Sequence, residues 1–195
     1  DMAVKSSFKN MTLCLFAICL VCSGLLAGVY ALTKEPIELA AQKKNEDAIK
    51  EVLPDTAVSI EEERTVEMSG ETYTYNLAYD EVGNTVGCAV NVSTLGFGGP
   101  IVIKVGFDVN GIIWNTKVLS QSETPGLGAK CVEPAFADQF REFDAQEKKL
   151  GVKKDGGDVD AITASTITSR AYINGIEKAV YVFATITRTP MPLDT

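Results

Sequence analysis

Hydroxyl side chains crowd the start of the last predicted helix, in the segment DVDAITASTITSRA that covers 158–171. The first N–H groups of an α-helix have no partner within the helix, and the positive end of the helix dipole favours an anion there. A hydroxyl at such a place can donate a hydrogen bond to a phosphate or be esterified by it. An ordinary helix cap explains the same residue types. The hydroxyl residues are Thr163, Ser165, Thr166, Thr168 and Ser169.

Two glycine-rich segments are candidate ligand loops. In QSETPGLGAK, 121–130, Gly126 and Gly128 allow the backbone to approach a flat ligand closely. The segment lacks the third glycine and the following helix of a dinucleotide fingerprint, and it does not match a P-loop. In LGFGGPI, 95–101, the glycines indicate either a bare turn or a backbone platform.

Composition excludes several classes of function. The chain of 195 residues contains no histidine, which excludes Ser-His-Asp and Cys-His nucleophile systems and His-ligated zinc. With 18 Lys and Arg against 26 Asp and Glu, the formal net charge is -8, so binding to nucleic acid is not expected. We predict neither a catalytic side chain nor a metal site, and any chemistry is therefore expected from a bound cofactor.

A run without charged side chains, 11–32, follows a short N-terminal segment, 1–10. About 20 apolar residues match the hydrocarbon thickness of a bilayer, which predicts one transmembrane helix. A signal peptide cleaved after Ala31 is the alternative. Lys5 and Lys9 precede the run, which favours a cytoplasmic N-terminus and places the acidic body outside.

After the span, the sequence predicts a juxtamembrane helical stalk, 33–54, and one α+β domain, 55–195. The stalk helix should end at Pro54. Short β-rich runs between Ala57 and Ser120 are separated by turn signals, of which Asn110-Gly111 is a strong hairpin signal.

Two helices are predicted in the second half of the domain, over 133–143 and 166–187. The first would carry Phe136, Phe140 and Phe143 on one face as core residues. The apolar stripe of the second would consist of Ile167, Ala171, Ile176, Ala179, Val180 and Phe183. Cys88 and Cys131 are the cysteines of this domain and could pair in an oxidising compartment.

Together these segments resemble the FMN-binding subunits of the Rnf and sodium-pumping NADH:quinone oxidoreductase complexes, most closely the G subunit of the Rnf complex. The resemblance covers nearly the whole chain. It comprises the N-terminal span, the GFGGPI turn, the ETPGLG loop and the flavinylation motif Asp-x-x-Ser/Thr-Gly-Ala-Thr. The motif is here Asp160-Ala161-Ile162-Thr163-Ala164-Ser165-Thr166, with Ala164 in place of the usual Gly and Ser165 in place of the usual Ala.

The resemblance implies covalent FMN on the last threonine of the motif, here Thr166, through a phosphoester that a flavin transferase installs from FAD. It also implies that Asp160 is recognised by the transferase. Glu123 would either contact the flavin or stabilise its loop. The other residues expected to bind the cofactor are Thr163, Ser165, Thr168, Thr124, Gly126, Leu127 and Gly128.

The function implied by the resemblance is electron transfer within a bacterial membrane complex that moves electrons between ferredoxin and NAD and couples this to ion transport. The other Rnf subunits would be the partners, and the FMN-binding domain would lie on the extracytoplasmic side. Two other hypotheses remain open. One is a secreted or membrane-anchored β-rich binding domain without a cofactor, and the other is an assembly subunit that has lost its flavin.

Overall fold

The structure is a computed structural model that describes residues 8–68 and 70–188. The predicted N-terminal segment, 1–10, and the predicted domain, 55–195, lie partly outside these residues. The chain forms two compact units, Asp1–Lys44 and Asn45–Thr195. The boundary between the units falls within the segment predicted as a stalk, 33–54.

Helix α1 covers Phe8–Val52 and contains the predicted span and all but the last two residues of the predicted stalk, with Pro36 inside it. It is long and apolar enough to cross a membrane, a test that an N-terminal signal sequence also passes. The helix ends shortly before Pro54, as the sequence predicts, because the residue before a proline is disfavoured in the helical conformation.

In the part of the chain that the structure describes, six strands follow α1 and form one antiparallel sheet. The strand order is β1-β3-β4-β5-β6, and β2 also pairs with β3. Together with the helices this confirms the predicted α+β fold. The strands are β1 (Ser59–Ile60), β2 (Arg64–Met68), β3 (Glu71–Tyr79), β4 (Thr85–Leu95), β5 (Pro100–Asp108) and β6 (Ile113–Ser120).

The predicted hairpin at Asn110-Gly111 joins β5 to β6. Gly111 has a φ of +85°, a conformation that glycine adopts without steric cost. The Asp108 carboxylate accepts hydrogen bonds from the Asn110 N–H at 2.9 Å and the Ile112 N–H at 2.8 Å. These bonds hold the turn closed and fix the register of β6 on β5.

Helix α3 (Thr166–Arg188) lies against one face of the sheet and confirms the last predicted helix. Its buried residues include Tyr172, Ile176 and Ala179, which join the core with residues of β4 and β5. The prediction for Ile167 was wrong, because its side chain is 55% exposed at the first turn of the helix. Only the later turns of α3 pack on the sheet.

The helix predicted over 133–143 is shorter than expected. Helix α2 covers only Pro134–Ala137, and a 3₁₀ turn follows over Asp138–Phe140. Phe143 instead pairs with Ile113 of β6, since the two residues exchange both backbone hydrogen bonds at 3.0 Å. The sheet edge therefore satisfies backbone groups that a longer helix would have used. All three phenylalanines of the segment are buried, as predicted.

The opposite face of the sheet is covered by the last turns of α1, within the second unit. Ile49, Val52 and Leu53 form a small apolar cluster there with residues of β3 and β4. Gly106 of β5 lies directly beneath Val52, so close that a Cβ on it would lie 1.8 Å from the Val52 carbonyl oxygen. This close approach explains why β5 carries a glycine at that position.

Cys88 and Cys131 are both free and buried. Burial raises the pKa of the Cys88 thiol to about 12 and that of Cys131 to about 11. Both thiols therefore stay protonated at neutral pH and pack as small apolar groups.

Candidate functional site

A cavity of about 420 Å³ lies where three segments meet at the N-terminus of α3. The segments are the glycine-rich turn after β4, the loop after β6, and the first turn of α3 with the residues before it. The structure thus brings together most of the residues predicted to bind a cofactor. The lining residues are Phe97, Glu123, Thr124, Leu127, Gly128, Ala164, Ser165, Thr166, Ile167 and Thr168.

Glu123 connects the three segments. Its side chain is 6% exposed, and its carboxylate accepts hydrogen bonds from the Gly98 N–H at 2.9 Å and the Thr168 hydroxyl at 2.7 Å. Gly128 leaves room for this carboxylate, because a Cβ there would lie 2.3 Å from Glu123 Oε2. Of the two roles expected for Glu123, these contacts correspond to the loop-stabilising one.

The residues before α3 form a tight turn. The Ser165 N–H donates to the Ile162 carbonyl oxygen at 3.0 Å, and Ala164 between them has a φ of +60°. The Ser169 hydroxyl accepts from the Ile162 N–H at 2.9 Å and donates to the Ser165 carbonyl oxygen at 3.0 Å. The hydroxyls of Thr168 and Ser169 therefore serve to hold the loops in place.

Thr166 is the first residue of α3 and is half-buried in the cavity wall. Across residues 8–68 and 70–188, its hydroxyl forms no hydrogen bond. Its position at the helix N-terminus places that hydroxyl beside N–H groups that have no partner within the helix. The site can therefore hold an anion next to a free hydroxyl.

Apolar side chains surround the mouth of the cavity. Phe97 is 71% exposed, Ile167 55% and Leu127 42%, although each is large and hydrophobic. Leu127 was predicted as a site residue, whereas Phe97 was not singled out and Ile167 was assigned to the core. The sequence feature that could have identified Phe97 is its position between two glycines, in a turn too short to bury an aromatic side chain.

The remaining predicted residues lie outside this cavity. Asp160 and Thr163 line a neighbouring groove of about 260 Å³. Gly126 lines neither the cavity nor this groove, and its φ of +76° instead permits the turn of the loop. Thr124 lines the cavity, and its carbonyl oxygen accepts from the N–H groups of Leu127 and Ala129, both at 3.2 Å.

Asp160 is exposed at the start of the motif. Its carboxylate forms an ion pair with Lys153 at 2.6 Å between Nζ and Oδ2. Its backbone N–H and carbonyl oxygen are both hydrogen-bonded to the side chain of Gln139.

We expect Ala164→Gly to raise the free energy of unfolding by about 1 kcal/mol, because Ala is strained in the left-handed conformation that glycine adopts freely. Urea denaturation of the purified chain measures the change. Ala161→Gly is the matched control, since Ala161 lies in the same loop without a positive φ, and it should destabilise slightly. Equal effects of the two substitutions would contradict the strain at Ala164.

Comparison with known proteins identifies the class of protein that has this fold. A family model described as an FMN-binding domain matches residues 96–181, which include all three segments around the cavity. The C subunit of the Na(+)-translocating NADH-quinone reductase of Parabacteroides distasonis has a similar fold, with a TM-score of 0.53 at 21% sequence identity over 76% of this chain and 96% of that one. The fold is that of an FMN-binding domain.

Relatives that match along most of their length identify the family. A model described as the RnfG N-terminal region matches residues 2–52. The G subunit of the ion-translocating oxidoreductase complex of Shewanella piezotolerans is 34% identical over 194 residues, which is 92% of this chain and 90% of its own. That of Methanosarcina acetivorans is 30% identical over 187 residues, 94% of this chain and 98% of its own. This chain belongs to the family of G subunits of ion-translocating oxidoreductase complexes, which confirms the resemblance seen in the sequence.

Proposed function

We propose that this chain is the electron-transfer subunit of a membrane-bound ion-translocating oxidoreductase complex and carries FMN esterified to Thr166. The observation that carries the proposal is the Thr166 hydroxyl, which lies in the cavity wall at the N-terminus of α3 and is not bonded to any residue within 8–68 or 70–188. The FMN-binding domain match supports the cofactor, and the relatives named as G subunits support the assembly.

The residues around the cavity fit FMN. The N-terminus of α3 suits the phosphate, and the side chains of Phe97, Leu127 and Ile167 offer apolar surface to a flat ring. The Glu123 carboxylate is held by two protein donors, so it keeps the loops together around the ligand. When bound, FMN supplies reversible electron transfer, which the side chains of this histidine-free chain do not provide.

In the attachment step, the Thr166 hydroxyl reacts with FAD, which is the co-substrate. The Thr166 oxygen forms a bond to the phosphorus on the riboflavin side of FAD and loses its proton. The bond between that phosphorus and the bridging oxygen breaks, and AMP leaves with the bridging oxygen. The FMN phosphate then bears two esters, and no oxidation or reduction occurs. The flavin transferase supplies the acid and base for this step.

Membrane attachment and orientation complete the proposal. Helix α1 anchors the chain, with Lys5 and Lys9 on the cytoplasmic side and the FMN-binding domain on the extracytoplasmic side. A covalent tether keeps the cofactor on the protein where no cytoplasmic FMN pool can replace it. The partners are the other subunits of the complex, which pass electrons between ferredoxin and NAD and couple this to ion transport.

We expect Thr166→Ala to abolish the flavin fluorescence of the denatured protein band after the full chain is incubated with flavin transferase and FAD. Thr166→Ser retains a hydroxyl and should keep part of the fluorescence. Thr187→Ala, the same substitution at the other end of α3, is the matched control and should be labelled like the wild type. A wild-type band without fluorescence would refute the proposal in favour of a cofactor-free binding domain, and fluorescence that survives Thr166→Ala would refute this attachment site.

A further inference from the structure

The side chain of Gln139 forms a two-point contact with the backbone of the flavinylation motif. The Asp160 N–H donates to Gln139 Oε1 at 2.7 Å, and Gln139 Nε2 donates to the Asp160 carbonyl oxygen at 3.1 Å. Exchanging the amide oxygen and nitrogen would lose both bonds, so the contacts fix the orientation of the side chain. Gln139 thus makes the same pair of bonds to Asp160 that a neighbouring β-strand would make.

Gln139 is held by a rigid part of the core. It lies in the 3₁₀ turn that ends at Phe140, and Phe136 precedes it in α2; the two phenylalanines are 0% and 4% exposed. Both rings pack on Tyr172 of α3 with centroids 5.2 Å apart. The Tyr172 hydroxyl is hydrogen-bonded to the Thr116 hydroxyl at 2.9 Å, so the position of Gln139 is tied to α3 and to β6.

The other contacts of Asp160 are weak by comparison. Its carboxylate pairs with Lys153, but the two side chains are 67% and 60% exposed, and an exposed ion pair does little to fix a loop. The next anchor along the motif is Ile162, whose N–H donates to Ser169. Before the motif, Val159 is buried, and its own backbone N–H and carbonyl oxygen are both hydrogen-bonded. Between Val159 and Ile162, the backbone N–H and carbonyl oxygen of Asp160 are hydrogen-bonded to Gln139, which therefore fixes locally where the Asp160 carboxylate is presented.

From this geometry, and resting on the proposed attachment at Thr166, we propose that Gln139 is a positioning residue for flavin transfer. It holds the backbone of Asp160 so that the carboxylate and the Thr166 hydroxyl are presented to the transferase in one arrangement. It does not line the cofactor cavity, and it lines the neighbouring groove together with Asp160 and Thr163.

The test compares initial rates of FMN incorporation into the full chain, with flavin transferase and FAD, by intact mass of the denatured protein. We expect Gln139→Ala to lower the rate at least about tenfold, because losing two hydrogen bonds leaves the motif in its active arrangement for a small fraction of the time. Gln146→Ala, at an exposed glutamine that lines neither the cavity nor the neighbouring groove, is the matched control and should react at the wild-type rate.

A second readout separates positioning from loss of the fold. In hydrogen exchange of the unmodified chain, Gln139→Ala should speed exchange of the Asp160 and Ile162 amides and leave those of the later turns of α3 unchanged. Gln139→Glu keeps the acceptor but cannot donate to the Asp160 carbonyl oxygen, so an intermediate rate is expected. If Gln139→Ala does not fold, Gln139→Glu is compared with the wild type in the same two assays.

The possible results distinguish failure of this inference from failure of the proposed function. A wild-type rate in Gln139→Ala, or in Gln139→Glu where only that variant folds, would overturn the inference and leave attachment at Thr166 intact. Equal slowing in Gln146→Ala would also overturn it. A wild-type chain that takes up no FMN would refute the proposed function and the inference with it.

Discussion

Glu123→Ala is expected to lower the free energy of unfolding by about 3 kcal/mol, because it removes the shared acceptor of the Gly98 N–H and of the buried Thr168 hydroxyl. The Gly98 N–H and the Thr168 hydroxyl would be left without their partner, and the three segments around the cavity would lose their common contact. The substitution should therefore also prevent stable retention of the flavin. Urea unfolding followed by the fluorescence of Trp114, the single tryptophan of the chain, measures the first effect.

Two variants control this experiment. Glu133→Ala removes the same group from an exposed position and should change the free energy of unfolding by less than about 0.5 kcal/mol. Glu123→Gln keeps the volume but replaces one acceptor oxygen by a donor, so an intermediate loss is expected. A Glu123→Ala chain as stable as Glu133→Ala would show that the carboxylate does not connect the segments.

Lys104→Met is expected to stabilise the domain by about 3 kcal/mol at neutral pH, because it removes an ammonium group that the fold buries at high cost. Lys104 is 0% exposed, and its Nζ lies 3.4 Å from Asn76 Oδ1, a long hydrogen bond. Burial lowers its pKa from 10.5 to about 8, against the opposing influence of Glu63 and Cys88.

The stability gained from Lys104→Met should depend on pH. Because the folded pKa is lower than the unfolded one, the unfolded state binds more protons between about pH 8 and pH 10.5. The contribution of Lys104 to the free energy of unfolding therefore rises with pH across that window. The gain from Lys104→Met should be greatest below pH 8 and shrink as pH rises through the window.

Lys117→Met is the matched control on the neighbouring strand. Lys117 pairs with Lys104 in the register of β5 and β6, but its side chain is 43% exposed and forms an ion pair with Glu51 at 2.8 Å. Its loss should lower the free energy of unfolding by at most about 1 kcal/mol. A destabilised Lys104→Met chain, or a gain that does not vary with pH, would contradict the account of a buried ammonium group.

The features that the sequence predicts well depend on local spacing. The start of α3 at Thr166, the turn at Asn110-Gly111 and the end of α1 before Pro54 each follow from the types of a few adjacent residues. The motif from Asp160 to Thr166 and the loop around Glu123 could also be recognised locally. The spacing of these residues does not show which hydroxyl lacks a hydrogen bond. That depends on the contact between Glu123 and Thr168, which lie far apart in the sequence.

The features that the sequence missed depend on contacts between distant segments. Phe143 leaves a helical pattern because the edge of β6 offers it both backbone bonds. Ile167 follows the apolar stripe of α3 but lies beyond the end of the sheet contact, at the cavity mouth. Alternation along β5 places Lys104 on the face opposite to Ile103, and its burial there depends on distant segments such as β3, whose Asn76 contacts the ammonium group.

The most direct measurement is tandem mass spectrometry of the tryptic peptide 155–170, from chain purified out of the membranes of a host that makes the whole complex. This peptide follows Lys154, ends at Arg170 and contains every hydroxyl of the motif. We expect fragment ions that place one FMN ester on Thr166. A peptide without FMN, or an ester on Thr163 with Thr166 unmodified, would contradict the account.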